Sequence, residues 1–253
     1  MPDFATPHTA SPPPDDTVDL DLSRLREHLT PLLSVIAGMV DLIGFFTLGN
    51  IFTAHVTGNL VLASAVAVHG GPLNLAQALA IPVFMFAVAA TWLIAQASNK
   101  HGPALARLLL VVQFVLLAAV LIFSVLAKPS TNPHGLMAGI AVMIAVSAMA
   151  CQYALLRLAL PQVVSTAVMT GNLTNAVLSL MDVVRNRHSL TGTELTRLKS
   201  SLRLLVGFLV GCLVAAAAVS VMADWAWALP VALAALGAIE SGHDRSNKQG
   251  VSS

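Results

Sequence analysis

The chain has 253 residues, 57% of them hydrophobic and 10% charged, with a mean hydropathy of +0.81. Ordinary soluble domains carry about 25% charged residues, so this composition excludes a typical soluble globular protein and points to a polytopic membrane protein. A formal net charge of +1, with no dense basic run interleaved with aromatics, excludes a nucleic-acid binder.

In chain order, residues 1–30 are rich in Pro, Asp, Ser and Thr and hold no apolar stretch long enough for a signal peptide. They are expected to form a disordered cytoplasmic tail, with Arg24, Arg26 and His28 flanking the first apolar run. A membrane domain over 31–241 follows, and 242–253 form a second polar cytoplasmic tail. A helix crossing about 30 Å of hydrocarbon needs roughly 20 apolar residues. Six runs qualify, near 31–50, 77–98, 104–127, 135–158, 202–222 and 224–241. Two further runs, 51–68 and 163–184, are less apolar, and each contains a Thr-Gly-Asn triplet: Thr57 to Asn59 and Thr170 to Asn172. Cys151 and Cys212 lie in apolar runs and suggest neither a disulfide nor a zinc site.

The thirteen Lys and Arg residues decide whether the triplet runs cross, because cytoplasmic loops carry the excess of positive charge. If both cross, eight spans leave ten positive residues inside and three outside, the three being Lys100, Arg107 and Arg157. If both dip in and return, twelve lie inside and only Lys128 outside. The second arrangement is favoured. The expected fold is an all-α integral membrane protein with six transmembrane helices, two re-entrant or broken segments and both termini cytoplasmic.

Ser34 to Ala63 aligns without gaps on Ser147 to Ala176, with ten identities in thirty positions, including a contiguous Thr-Gly-Asn-Leu. Each copy runs span, triplet segment, span, span, so repeat one (31–127) and repeat two (135–241) each cross three times and must be inverted. Inverted repeats place substrate sites near the bilayer midplane where helices are discontinuous. Gly58 and Gly171 are expected to allow a tight turn, and Thr57 and Thr170 to cap a short helix. Such half-helices of about 15 Å would meet near the middle and aim their positive ends at one site. The competing reading is that the triplets merely join helices together.

The stretches GMVDLIGFFTLGNIFTAHVTGNLV (38–61) and CQYALLRLALPQVVSTAVMTGNLT (151–174) resemble the YoaK family of bacterial inner-membrane proteins, a domain of unknown function. The likeness runs from about Pro31 to Ile239; its most specific parts are Gly38 with Asp41, both triplets and Gln152. The chain departs at Cys151, where the family pattern has Gly. The resemblance implies a multi-pass protein of the bacterial inner membrane and supplies no reaction or substrate.

Asp41 is the one acidic residue deep inside a clear span. An intramembrane carboxyl normally marks a proton or ion path or locks two helices, and Arg157 is its available cationic partner. His55, two residues before Thr57, is placed to bind a ligand, relay a proton with Asp41 or bond a neighbouring helix. Gln152 and Tyr153 fall on adjacent faces, so one of the two is expected to face a cavity, and Asn175 should share the face of Asn172. The candidate solute or ion path therefore comprises Asp41, His55, Thr57, Gly58, Asn59, Gln152, Thr166, Thr170, Gly171, Asn172 and Asn175. No nucleophile motif, phosphate loop or metal cluster appears, so neither an enzyme nor a cofactor is expected. A triad of Asp41, His55 and a Thr rests on residue type alone. The leading expectation is a transporter or channel for a small polar or anionic solute; the alternatives are a membrane scaffold and, as a minor option, an intramembrane enzyme. Expected partners are the bilayer and the solute or ion, with a homo-oligomer left open.

Overall fold

A computed structural model describes residues 16–70, 74–160, 169–185 and 192–249, with side chains described over 27–70, 74–160, 169–185 and 195–241. The described residues form eight α-helices and two 3-10 turns, with no strand. In order these are α1 (Asp16–Thr47), α2 (Val56–His69), α3 (Leu75–Ala97), α4 (Gly102–Ala127), a turn (Pro129–Thr131), α5 (Leu136–Leu158), α6 (Met169–Arg185), α7 (Gly192–Met222), a second turn (Ala223–Trp227) and α8 (Ala228–Gln249).

One tail expectation needs correction. α1 begins at Asp16 rather than after a disordered stretch ending at 30. α8 continues through the polar residues to Gln249. Val18, Leu22, Leu25 and Leu29 recur at steps of four, three and four, a helical period that the high Asp and Ser content concealed. Acidic residues at a helix start also favour its positive end.

Among the described residues, five segments are long and apolar enough to cross a bilayer: Glu27–Thr47, Leu75–Ala97, Gly102–Ala127, Leu136–Leu158 and Leu195–Ser241. The expected runs 202–222 and 224–241 both fall in the 47-residue segment, which covers most of α7, the second turn and the start of α8. Ala223, in a left-handed conformation at φ +48°, ends α7. Asp224 holds the turn by accepting from the Ser130 hydroxyl at 2.6 Å. α2 has 14 residues, about 21 Å of helix, short of the hydrocarbon thickness.

α5 is the most enclosed helix. Ala138, Ala141, Ala145 and Ala148 are fully buried on it and let α3 and α4 approach closely. α1 packs along α7, α3 along α5, α4 against both α5 and α8, and α1 also meets α8. The short helices rest on the flanks, α2 on α3 and α6 on α7.

The α1–α7 seam depends on missing side chains. A Cβ on Gly38 would overlap the Phe208 carbonyl oxygen, and one on Gly211 would overlap the Val35 carbonyl oxygen. Gly207 and Gly211 have the four-residue spacing of close membrane-helix pairs. At that distance the Ser34 hydroxyl donates to the Leu204 carbonyl at 2.7 Å. Because backbone rather than a mobile side chain fills the space, Gly38→Leu or Gly211→Leu must separate the helices. Overpacking of this kind costs about 1–3 kcal/mol. Thermal unfolding of the detergent-solubilised chain should show a lower Tm for both variants and little change for Gly139→Ala, whose added Cβ would meet only Ala76 Cβ at 3.8 Å.

Candidate functional site

α1 ends at Thr47, and Gly49 and Asn50, at φ +84° and +60°, turn the chain back. Residues 51–55 then run beside α1 without helical hydrogen bonds until α2 starts at Val56. Five consecutive non-helical residues within a membrane domain leave backbone donors and acceptors that must find partners inside the protein.

Asp41, about one and a half turns before the end of α1, partners three of the amides. Its Oδ1 accepts from the backbone amides of Thr53 at 2.8 Å, Ala54 at 2.6 Å and His55 at 3.3 Å, and from the Thr53 hydroxyl at 3.4 Å. Its Oδ2 lies 2.5 Å from His55 Nδ1. Asn59 serves the segment from the α2 side, accepting from the Phe52 amide at 2.8 Å and donating to the Phe52 carbonyl at 2.7 Å. The Tyr153 hydroxyl of α5 donates to the Ala54 carbonyl at 3.0 Å. Thus α1, α2 and α5 each contribute one side chain to a clamp around 52–55.

The two members of the ionic pair differ in access. The Asp41 side chain is 5% exposed and the His55 side chain 27%. The imidazole stands edge-on to Phe208 of α7, with ring centroids 5.2 Å apart. Nδ1 is committed to Asp41, and Nε2 has no hydrogen-bond partner among the described residues. Arg157, the partner expected for Asp41, is exposed instead.

A second polar cluster ties α1, α4 and α5. Gln113 Nε2 donates to Gln152 Oε1 at 2.7 Å, and Gln152 Nε2 donates to the Leu33 carbonyl at 2.9 Å. Gln152 and Tyr153 therefore both point into the protein, each bonding a different element. Gln113 escaped the sequence reading; its only signal is a lone amide within the apolar run LLLVVQFVLLAAV.

The triplets behave differently from expectation. His55, not Thr57, is the N-cap of α2, and it caps with no side-chain hydrogen bond. Thr57 is exposed. Gly58 lies in the first turn of α2 rather than in a tight reversal, and a Cβ there would come within 2.9 Å of the Phe52 ring. The reversal falls earlier, at Gly49 and Asn50, where the backbone takes positive φ. Thr170 and Gly171 lie inside α6, so Thr170 is not its cap. Asn172 is buried and Asn175 exposed, because three helical steps turn a side chain about 60° away from the first. Thr166 lies outside the described residues. α2 packs on α3 and α6 on α7, and the stretch 161–168 that leads into α6 lies outside the described residues.

The Bacillus subtilis (strain 168) UPF0700 transmembrane protein YoaK is 54% identical over 37 residues, a match covering 15% of this chain and 16% of that protein. No solved structure matches. The family described as "Protein of unknown function (DUF1275)" matches residues 29–239, nearly the whole helical domain, and the chain is a multi-pass membrane protein belonging to that family.

Proposed function

We propose that the protein is a transporter or channel for a small polar or anionic solute in the bacterial inner membrane, with its site at the break between α1 and α2. The observation that carries this reading is the Asp41–His55 pair. An ionisable pair inside a membrane domain marks a solute or ion path in preference to lipid-facing structure, and here the imidazole remains partly exposed while its carboxylate partner is buried.

In this reading α7 and α8 cross separately, giving six crossings, while α2 and α6 enter and return. Support comes from the 14-residue length of α2 and from the strain at Ala223 that breaks the 47-residue run. It comes also from the helix pairing. Exchanging repeat one (α1 to α4) with repeat two (α5 to α8) turns the α1–α7 pair into α5–α3, α2–α3 into α6–α7 and α4–α5 into α8–α1, all of which occur. An inverted two-fold relation produces such a pattern. Both termini are then cytoplasmic. Reporter fusions at His101 should read as cytoplasmic and at Ser130 as external; a periplasmic signal at His101 would restore eight crossings and end the inverted-repeat reading.

Catalysis fits the geometry less well. The Thr53 hydroxyl bonds Asp41 rather than His55, so the order of a hydrolytic triad is absent from this cluster.

A membrane scaffold is the second reading, favoured by the use of Asp41, Asn59, Gln152 and Tyr153 to bond backbone. One substitution tests the clamp and a second separates the readings. Asn59→Ala deletes both bonds to Phe52 and should lower stability by about 1–3 kcal/mol through the orphaned buried groups, read as a fall in Tm. His55→Ala leaves every backbone bond of the clamp in place. Uptake and efflux profiling of a deletion strain complemented with His55→Ala should match the uncomplemented strain despite normal protein abundance. Full complementation would favour the scaffold.

A further inference from the structure

We propose that the Asp41–His55 pair is a proton-binding site in which His55 Nε2 takes and releases the proton while Asp41 is a positioning residue. This deepens the transport reading, on which its role in coupling rests, and names the coupling ion as the proton. The sequence alone would give the proton to Asp41, the acidic residue in the span. The geometry moves it to the histidine.

Three amides and a hydroxyl donate to Oδ1, and Oδ2 faces the imidazole Nδ1, which donates to it in the proposed tautomer. An O–H on Oδ1 would meet the Thr53 and Ala54 N–H groups donor against donor and dislodge residues 53–55. His55 can exchange a proton without such a cost. With Nδ1–H donated to Asp41, the neutral ring presents a lone pair at Nε2, and protonation adds an N–H there without disturbing the Nδ1 bond. Nε2 belongs to the more exposed member of the pair and is unpartnered among the described residues. Protonation thus converts Nε2 from acceptor to donor at a fixed position, which would let one solute be held in one state and released in the other.

The surroundings add few competing charges. α5 brings the Tyr153 hydroxyl, already donated to Ala54, and α7 brings the Cys212 thiol, which donates to the Gly38 carbonyl at 3.5 Å. α2 carries its other histidine, His69, at its far end. On α8, Glu240 lies close to Gly237, which packs on Leu29 and Leu32 near the opposite end of the membrane part of α1. Among the described residues the ion pairs are His55–Asp41 and the exposed Arg203–Glu27.

The test uses the full chain in nanodiscs with 15N-labelled histidine rings. A variant in which the other seven of the eight histidines are Gln leaves His55 as the sole signal; wild type minus His55→Gln supplies the same assignment if that variant folds poorly. The expected result is a neutral ring protonated at Nδ1, with Nε2 the nitrogen whose shift moves on acidification. Asp41→Asn should reduce this preference to a mixture of tautomers, an effect a merely buried histidine would not show. A neutral ring protonated at Nε2, or ring shifts that stay constant while the exposed His69, His101 and His134 of wild type all titrate, would overturn the proposal. Transport is scored separately. Proton uptake at Nε2 with His55→Gln giving the same uptake and efflux profile as wild type would leave the proton site standing and remove its role in transport.

Discussion

A peptide group has no water to bond within hydrocarbon, and that constraint organises this fold around residue 41. Helices satisfy themselves, but residues 51–55 are not helical. One carboxylate gathers three of their amides, one carboxamide takes the Phe52 N–H and C=O, and one phenol takes the Ala54 carbonyl. The partners come from α1, α2 and α5, so the break can persist only while these elements keep their packing. Under the proposed transport reading, function and stability meet in the same few side chains. Asp41 is a structural keystone and also fixes the partly exposed imidazole of His55.

The rest of the packing can be seen as what keeps that clamp in register. Glycines at 38 and 211 bring α1 and α7 into backbone contact, setting Phe208 against the His55 ring. The glutamine pair at 113 and 152 ties α5 to α1 through Leu33, and the adjacent Tyr153 reaches the broken segment. A shift of either helix by a fraction of a turn would break several polar contacts at once. Buried polar networks are costly when only partly satisfied, and this favours a discrete arrangement over a graded one.

Much of this was legible in the sequence, and the exceptions share a cause. Apolar runs long enough to cross gave α1, α3, α4 and α5 to within a few residues at their membrane ends, because hydropathy is a local property. Asp41 and His55 stood out because an ionisable residue in an apolar run is conspicuous. Their pairing was one option among several, since spacing cannot say that residues 48–55 fold back to bring position 55 beside position 41. The role of the triplet was misread for a related reason. Thr57 and Gly58 have the chemistry of a cap and a turn, yet the turn lies at Gly49 and Asn50 and the polar work falls to Asn59. Gln113 was missed because a single amide gives no periodic signal. The helix over 16–30 was missed because composition outweighed its heptad-like spacing.

The central claim is that Asp41 holds the broken segment in place through its backbone amides. Hydrogen exchange of the Thr53, Ala54 and His55 amides, measured in nanodiscs for wild type and Asp41→Ala, tests it most directly. The account predicts that these three amides are protected in the wild type and lose most of that protection in the variant, while amides in the middle of α4 and α5 keep theirs. Equal protection of residues 53–55 in both proteins, with α4 and α5 unchanged, would contradict it.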